Sequence, residues 1–282
     1  MSKLKIAGVV TLCNPSKENF DNITRYIDSL DKLYVVDNTE GKSNEKKIPK
    51  SKKIEYIFKN ENLGVATALN IGATKAIEAG YKWMLTMDQD SKMTNELIDS
   101  MLDFISNTKE KNIGLVSPYQ SINKEDEKTD KEYEDVIEIM TSGNIINLDA
   151  YKKIGGFKDW LFIDCVDTEY CLNLHVNGYK VLRLNNLKMK HDLGELVVHK
   201  LFGKEYPCYN HNPLRRYYIV RNNLYMRELY GNDFKEYCDH LIRIQKGQVK
   251  RIIAFEKNKI KKLKMMYKGY KDFKKKVKGK IK

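Results

Sequence analysis

Tyr81-Lys82-Trp83-Met84-Leu85-Thr86-Met87-Asp88-Gln89-Asp90-Ser91 is an apolar run that ends in two carboxylates one residue apart. Trp83 to Met87 reads as a buried strand. If the strand stays extended past Met87, Asp88 and Asp90 share a face, because side chains alternate along a strand. Two acids at the carboxyl end of a parallel strand stand where open α/β sheets take their ligands. Such a pair suits a hard divalent cation, and that cation in turn suits a diphosphate. The same residues also suit a solvated exit from strand to loop, so the flanking segments must decide.

Upstream, Lys5 to Leu12 is continuous and β-branched, as a buried parallel strand is, and Pro15 in Cys13-Asn14-Pro15-Ser16 stops it. Phe20 to Leu30 has helical apolar spacing, Lys32 to Val36 is a second strand ending in Asp37-Asn38-Thr39, and Ile54 to Phe58 is a third. The lysine-rich stretch Glu40 to Lys53 is a loop. Leu63 to Ala79 reads as a helix that Gly80 stops. Downstream, Thr94 caps a helix that runs to Ile105, Ile113 to Ser117 is a strand closed by Pro118, and residues 120–135 form a charged surface loop. This alternation means an α/β fold, a doubly wound, mostly parallel sheet with helices on both faces. The second half is less regular. Val136 to Asn147 supplies one or two edge strands, and Leu148 to Ile154 is a short helix closed by Gly155-Gly156. A helix from Asp167 to Asn177, a strand from Tyr179 to Leu184 and a helix from Leu214 to Leu229 follow.

The 282 residues allow one large domain with an appendage or two small domains. No window approaches the ~18–20 apolar residues of a membrane span. The start, Met1-Ser2-Lys3-Leu4-Lys5-Ile6, runs into a strand without a signal-peptide pattern, so the expected location is the cytoplasm. Five scattered cysteines with no Cys-x-x-Cys spacing read as reduced, packed thiols. Charge is concentrated at the end of the chain. Residues 246–282 hold sixteen Lys/Arg against two acids, whereas residues 1–245 hold 35 basic against 36 acidic side chains. The basicity therefore belongs to a tail, and no nucleic-acid partner is expected from the overall charge.

Several further groups bear chemistry-capable side chains. Asp37 ends its strand as Asp88 does, and there it could accept from the imide N–H of uracil or thymine; Asp-Asn-Thr is equally good turn chemistry. Asn60-Glu61-Asn62-Leu63-Gly64 opens a helix whose N-terminus favours anions, yet it lacks Gly-x-Gly-x-x-Gly, which disfavours a nicotinamide enzyme. Asp164, Asp167 and Glu169 form a carboxylate trio in an apolar segment, suited to a general base or, in part, to helix capping. His191 follows a strand, and Arg216 and Arg221 lie five apart in a tyrosine-rich helix; arginine is a natural partner of a diphosphate.

Taken together, these residues resemble the inverting family 2 glycosyltransferases of GT-A fold, and within them the bacterial rhamnosyltransferases. The resemblance rests on Asn14-Pro15, Val35-Val36-Asp37-Asn38, Asn62-Leu63-Gly64 with Ala68-Leu69-Asn70-Ile71-Gly72, and Leu85-Thr86-Met87-Asp88-Gln89-Asp90-Ser91. It continues through Gly155-Gly156-Phe157, Phe162-Ile163-Asp164 with Asp167-Thr168-Glu169, His191, and Tyr217-Tyr218 with Arg221-Asn222. It implies a GT-A domain over 1–230, with a nucleotide-sugar half to about 118 and an acceptor half from about 136. The implied nucleotide site comprises Thr11, Asn14, Asp37, Asn62, Gly64, Asn70, Asp88, Gln89 and Arg221. Asp90, Asp88 and His191 would hold Mn²⁺ or Mg²⁺, and Asp167 would be the general base with Asp164 and Glu169 as neighbours. The implied reaction moves L-rhamnose from dTDP-rhamnose to a glycan or lipid-linked glycan acceptor; another nucleotide sugar, such as a UDP-hexose or UDP-galactofuranose, is the alternative. The family commonly has Arg where this chain has Asn173.

From Val249 onward, apolar residues recur at 249, 252/253, 260, 263, 266/267, 270, 273 and 277 between lysines, with a break near Glu256-Lys257. The tail, 231–282, reads as a basic amphipathic helical extension. An anionic membrane surface on the inner face of the cell membrane would suit residues 246–282. Packing in a homo-oligomer, a solvated helix, or a non-enzymatic polyanion-binding role are the other uses.

Overall fold

Eight strands form one mixed sheet: β1 (Ile6–Leu12), β2 (Lys32–Asp37), β3 (Ile54–Phe58), β4 (Trp83–Asp88), β5 (Ile113–Ser121), β6 (Tyr133–Asp135), β7 (Asn144–Asn147) and β8 (Lys180–Lys190). The structure is a computed structural model that describes residues 4–121, 129–190, 197–201 and 203–281. Strand order is β3-β2-β1-β4-β7-β5-β8-β6. β3, β2, β1 and β4 run parallel, β7 is antiparallel to β4 and β5, β8 is parallel to β5, and β6 is antiparallel to β8. The chain leaves β1 for β2 on one side and returns to β4 on the other. That reversal opens a crevice at the carboxyl ends of β1 and β4.

The helices of this unit are α1 (Lys17–Thr24), α2 (Val65–Glu78), α3 (Asn95–Asn107), α4 (Leu148–Ile154) and α5 (Val166–Val176). Alternation along the strands assigns them to faces. Ile6, Val10, Leu12, Leu85 and Met87 share a core with Phe20 and Ile23 of α1 and Ile98, Met101 and Leu102 of α3. Val9 points to the opposite face, where α2 packs so closely that a Cβ on Gly72 would lie 2.3 Å from Val9 Cγ2. Helices therefore cover both faces, as expected. Thr94 caps α3 through its side chain, and Gly155 closes α4 in the left-handed conformation.

Three elements differ from expectation. β6 lies inside the stretch read as a charged loop, where Glu134 reaches Arg183 of β8 at 2.8 Å. β8 runs on to Lys190, past the expected stop at Leu184, because β5 also continues past Pro118 with a register shift and keeps pairing with it. A hairpin of β9 (Val197–Leu201) and β10 (Lys204–Cys208) had no expected counterpart.

The chain divides into two compact units, Met1–Phe162 with Val166–Asp192, and Ile163–Cys165 with Leu193–Lys282. The second unit contains the hairpin and three helices, α6 (Pro213–Tyr230), α7 (Lys235–Phe255) and α8 (Lys259–Lys274). This division places α6 with the basic helices, whereas the expected boundary at 230 separates them. The reason is packing: Val220 and Leu224 of α6 share a core with Val249, Ile252, Leu263 and Met266. The break between α7 and α8 falls at Glu256, as expected. There the buried Glu256 carboxylate takes Arg216 at 2.6 Å and Lys262 at 2.7 Å.

Candidate active site

The tip of β4 sits at the reversal of strand order. In register, Thr11 of β1 stands opposite Asp88 and Val9 opposite Thr86. Alternation puts Thr11, Thr86 and Asp88 on the sheet face covered by α2. β4 ends at Asp88, and Gln89 and Asp90 form a turn. This corrects the expectation that an extended strand would carry both aspartates on one face; their relation is set by the turn. Asp88 is half-buried and Asp90 exposed. The Asp88 amide donates to Ser142 Oγ at 2.9 Å, and Ser142 donates to Ser91 Oγ at 2.7 Å. Gln89 pairs with the Cys13 backbone in both directions, accepting from its N–H at 2.9 Å and donating to its C=O at 3.2 Å. The Gln89 side chain thus clamps the exits of β1 and β4 together.

Two carboxylates on a strand tip and its turn offer oxygen ligands only. That donor set fits a hard divalent cation that keeps waters and binds phosphate oxygens. Among the described residues no three His, Cys, Asp or Glu side chains converge as a complete metal cluster. His191, the expected third ligand, lies outside the described residues.

Asp167 occupies the first turn of α5, where Oδ1 accepts from the Thr168 N–H at 2.9 Å. It borders a mostly apolar internal gap too small for a water molecule, together with Thr86, Leu115, Ile146, Phe157 and Tyr170. Of β4, Thr86 borders the same gap. The structure brings a carboxylate to Asp167 that the sequence reading missed. Glu138 accepts a short hydrogen bond from Thr168 Oγ1. Burial and then the Asp167 charge push its carboxyl up to about 7, against the opposing pull of the Thr168 hydrogen bond. The available signal was an acid within the apolar run Val136-Ile137-Glu138-Ile139-Met140. Ser142 was missed for a simpler reason, since a serine before a glycine reads as a turn.

The expected trio disperses. Glu169 lies two positions further along α5, so it points elsewhere on the helix, and it is wholly buried. Asp164 belongs to the second unit and accepts from Arg215 Nε at 3.0 Å. Three non-glycine residues just before α5, Phe162, Asp164 and Cys165, have φ of 68°, 61° and 63°. Backbone held in such regions concentrates at functional sites.

The nucleotide candidates separate into two groups. Thr11, Asp88 and the exposed Asn14 stand at the carboxyl edge of β1 and β4, with the Asn14 N–H on Thr39 Oγ1 at 2.9 Å. Asn62 Oδ1 accepts from the Gly64 N–H at 3.0 Å and so shapes the turn into α2. The remaining candidates are engaged in holding the fold. Asp37 is wholly buried and accepts from Thr39 N–H, Asn44 Nδ2 and Tyr56 OH at 2.9, 3.0 and 2.6 Å. Burial pushes its carboxyl up, but the hydrogen bonds from Thr39, Tyr56 and Asn44 prevail and hold it below the usual range. By alternation it falls on the α1 and α3 face of the sheet.

Gly64 has φ of +85°, and a Cβ there would lie 2.5 Å from Phe162 O. The first helical amide of α2, Val65 N–H, donates to that same oxygen at 2.8 Å. All four hydrogen-bonding positions of the Asn70 amide are engaged with Phe157, Asp159 and Tyr151. These bonds make Asn70 an anchor of the 157–159 turn. Arg221 is wholly buried in the second unit, over the rings of Tyr217 and Tyr218, with Nη1 donating to Gly279 O at 2.6 Å. Asn173 donates to Ile154 O at 3.1 Å, closing the end of α4.

The profile of glycosyl transferase family 2 matches residues 17–167. The chain is 30% identical over 280 residues to dTDP-rhamnosyl transferase RfbF of Shigella flexneri, covering 92% of each. Among solved structures it is similar to S. aureus TarS 1–349 in complex with UDP-GlcNAc, with a TM-score of 0.57 and 15% identity over 97% of this chain and 82% of that one. It is also similar to GalNAc-T7 with UDP, GalNAc and Mn²⁺, with a TM-score of 0.59 and 13% identity over 98% of this chain and 57% of that one. These two likenesses carry the fold, which is the expected GT-A arrangement. With a family profile over more than half its length and a curated relative along nearly all of it, the chain is a glycosyltransferase and belongs to glycosyl transferase family 2.

Proposed function

We propose that the chain transfers L-rhamnose from dTDP-rhamnose, with inversion, to a hydroxyl of a cell-surface polysaccharide or lipid-linked glycan precursor. The donor is supported by the identity to a dTDP-rhamnosyl transferase along 92% of the chain. The single geometric observation that supports the reaction is that Asp88 ends β4 opposite Thr11 of β1, at the reversal of strand order where open α/β sheets take their ligands. Inversion is one in-line displacement. The acceptor oxygen forms a bond to the anomeric carbon, the bond from that carbon to the diphosphate oxygen breaks, and the diphosphate leaves with the electron pair. Asp167 takes the acceptor proton, and Glu138 sets the charge beside it. Asp88 and Asp90, with His191 by resemblance, would hold Mn²⁺ or Mg²⁺. A divalent cation there supplies positive charge against the leaving diphosphate. Thr11 and Asn14 border the nucleotide. Asp37 fixes the turn that walls the base, through Thr39 and Asn44. Work on a lipid-linked acceptor places the enzyme at the inner face of the cell membrane, held there by the basic tail.

The test is a transfer assay with dTDP-rhamnose, UDP-galactofuranose and UDP-hexoses, with product configuration read by NMR. Turnover of dTDP-rhamnose to an inverted product, abolished by EDTA and restored by Mn²⁺ or Mg²⁺, is the expected result. Turnover of a UDP sugar alone would replace the donor. Full activity in chelator would remove the metal role from Asp88 and Asp90.

A further inference from the structure

The apolar repeat that marks the tail as amphipathic is largely consumed inside the second unit. Val249, Ile252, Leu263 and Met266 pack on Val220 and Leu224 of α6, and the Phe273 ring meets Tyr225 edge-on with centroids 5.0 Å apart. α8 approaches α6 so closely that a Cβ on Gly269 would lie 2.5 Å from Tyr217 O. The single acid of α8, Asp272, is buried on this inner side, accepting from Tyr217 OH and Lys268 at 2.8 Å each. The inner face of α8 is therefore unavailable to a membrane.

The outer face has a different character. Ile260, Lys264, Tyr267, Tyr270, Lys271 and Lys274 are exposed along it, Ile260 at 72% and Tyr267 at 63%. The spacing of 260, 264, 267, 271 and 274 is one helical stripe. Tyr267 and Tyr270 stack on each other, with Lys271 over the first ring and Lys274 over the second. With Asp272 turned inward, this stripe carries no acidic side chain. Lysines alone would suit any polyanion, but an isoleucine this exposed gains nothing from a hydrated polymer. A bilayer interface accommodates both. Anionic headgroups attract the lysines, tyrosines favour the headgroup level, and Ile260 finds acyl chains.

We infer that α8 lies along an anionic phospholipid surface through this outer stripe, and not through the part of the apolar repeat that packs on α6. The inference rests on the proposed membrane placement of the enzyme and names the face and lipid chemistry that achieve it. The full chain should co-sediment with vesicles of phosphatidylcholine containing phosphatidylglycerol, should not do so with phosphatidylcholine alone, and should be released by salt. Each lysine at an anionic leaflet contributes about fivefold, so Lys264→Gln, Lys271→Gln and Lys274→Gln together should weaken partitioning on the order of 100-fold. Ile260→Ser should weaken it further, and all four changes lie on an exposed surface, so the thermal melt should not move.

If the wild-type chain binds these vesicles and the triple variant binds equally well, the α8 stripe is wrong while the membrane placement stands. If the wild-type chain does not bind them at all, the membrane placement itself fails. If vesicle binding ignores Ile260→Ser while an RNA homopolymer competes at equal affinity, the surface is a general polyanion site and the inference is overturned.

Discussion

At the scale of single residues, the candidate site sets carboxylates in different surroundings, Asp88 half-buried, Asp90 exposed and Glu138 beside Asp167. Asp167, in the first turn of α5, accepts from the Thr168 N–H through Oδ1. We expect Asp167→Asn to lower turnover by ~10²–10⁴ with donor binding retained, as for loss of a general base. Single-turnover rates beside donor affinities check this, and near-normal turnover would exclude the assignment. Glu138 yields a pH prediction. Its carboxyl titrates at about 7 in the fold against 4.5 in the unfolded chain, raised by burial and then by Asp167, with Thr168 and Cys171 as its other titratable or polar neighbours. The folded chain therefore keeps this proton at pH values where the unfolded chain has released it. The resulting stabilisation is complete below about 4.5 and is lost as pH rises through about 7. Glu138→Gln should remove that dependence, so the variant gains relative to wild type by on the order of 2 kcal/mol between the two ends of this window. Denaturant melts at both ends measure it, and parallel pH curves for the two proteins would contradict it.

At the scale of elements, the second unit is tied together by charge as well as by apolar packing. Glu256 ends α7, Lys262 belongs to α8 and Arg216 to α6, and all three side chains are at most 3% exposed. Removing the shared carboxylate leaves two buried cations without their counter-ion. Glu256→Gln should destabilise this unit by roughly 3–5 kcal/mol, the usual cost of breaking a buried pair. Limited proteolysis of α7 and α8, expected to accelerate in the variant, gives the readout; unchanged protection would mean that the apolar contacts alone hold the helices. The same packing makes truncation of residues 246–282 a poor probe of membrane binding, because it also strips Ile252, Leu263 and Met266 from α6. Substitutions on the exposed stripe of α8 avoid that difficulty.

At the scale of the whole chain, charge is partitioned as sharply as structure. Residues 1–245 are near neutral, with 35 basic against 36 acidic side chains, while residues 246–282 carry sixteen Lys/Arg against two acids, slightly more than the whole chain's net charge of +13. No described helix is long and apolar enough to cross a membrane. Any hold on a bilayer by these helices is therefore interfacial and salt-sensitive. The salt release expected in the vesicle experiment follows from this, and activity on a short soluble acceptor is predicted to be indifferent to the α8 stripe. An acceptor assay run with and without phosphatidylglycerol vesicles separates the two cases.

The amino-acid sequence by itself determined the sheet, the alternation of strands and helices, the break at Glu256 and the family. Those features depend on local periodicity, turn chemistry and short motifs, which are written along the chain. It also located Asp88, Asp90 and Asp167 as candidates. Only tertiary structure decided which residues meet. Glu138 reaches Thr168 across 30 positions, and Asn70 reaches Phe157 across 87, distances over which no periodicity carries information. Tertiary structure likewise gave Asp37, Asn70 and Arg221 hydrogen-bond partners within the protein, and for the buried Asp37 and Arg221 such partners are what burial of a polar group requires. The two faces of α8 show the same division. Sequence marks the helix as amphipathic, but which side is covered depends on a partner, α6, that lies elsewhere in the chain.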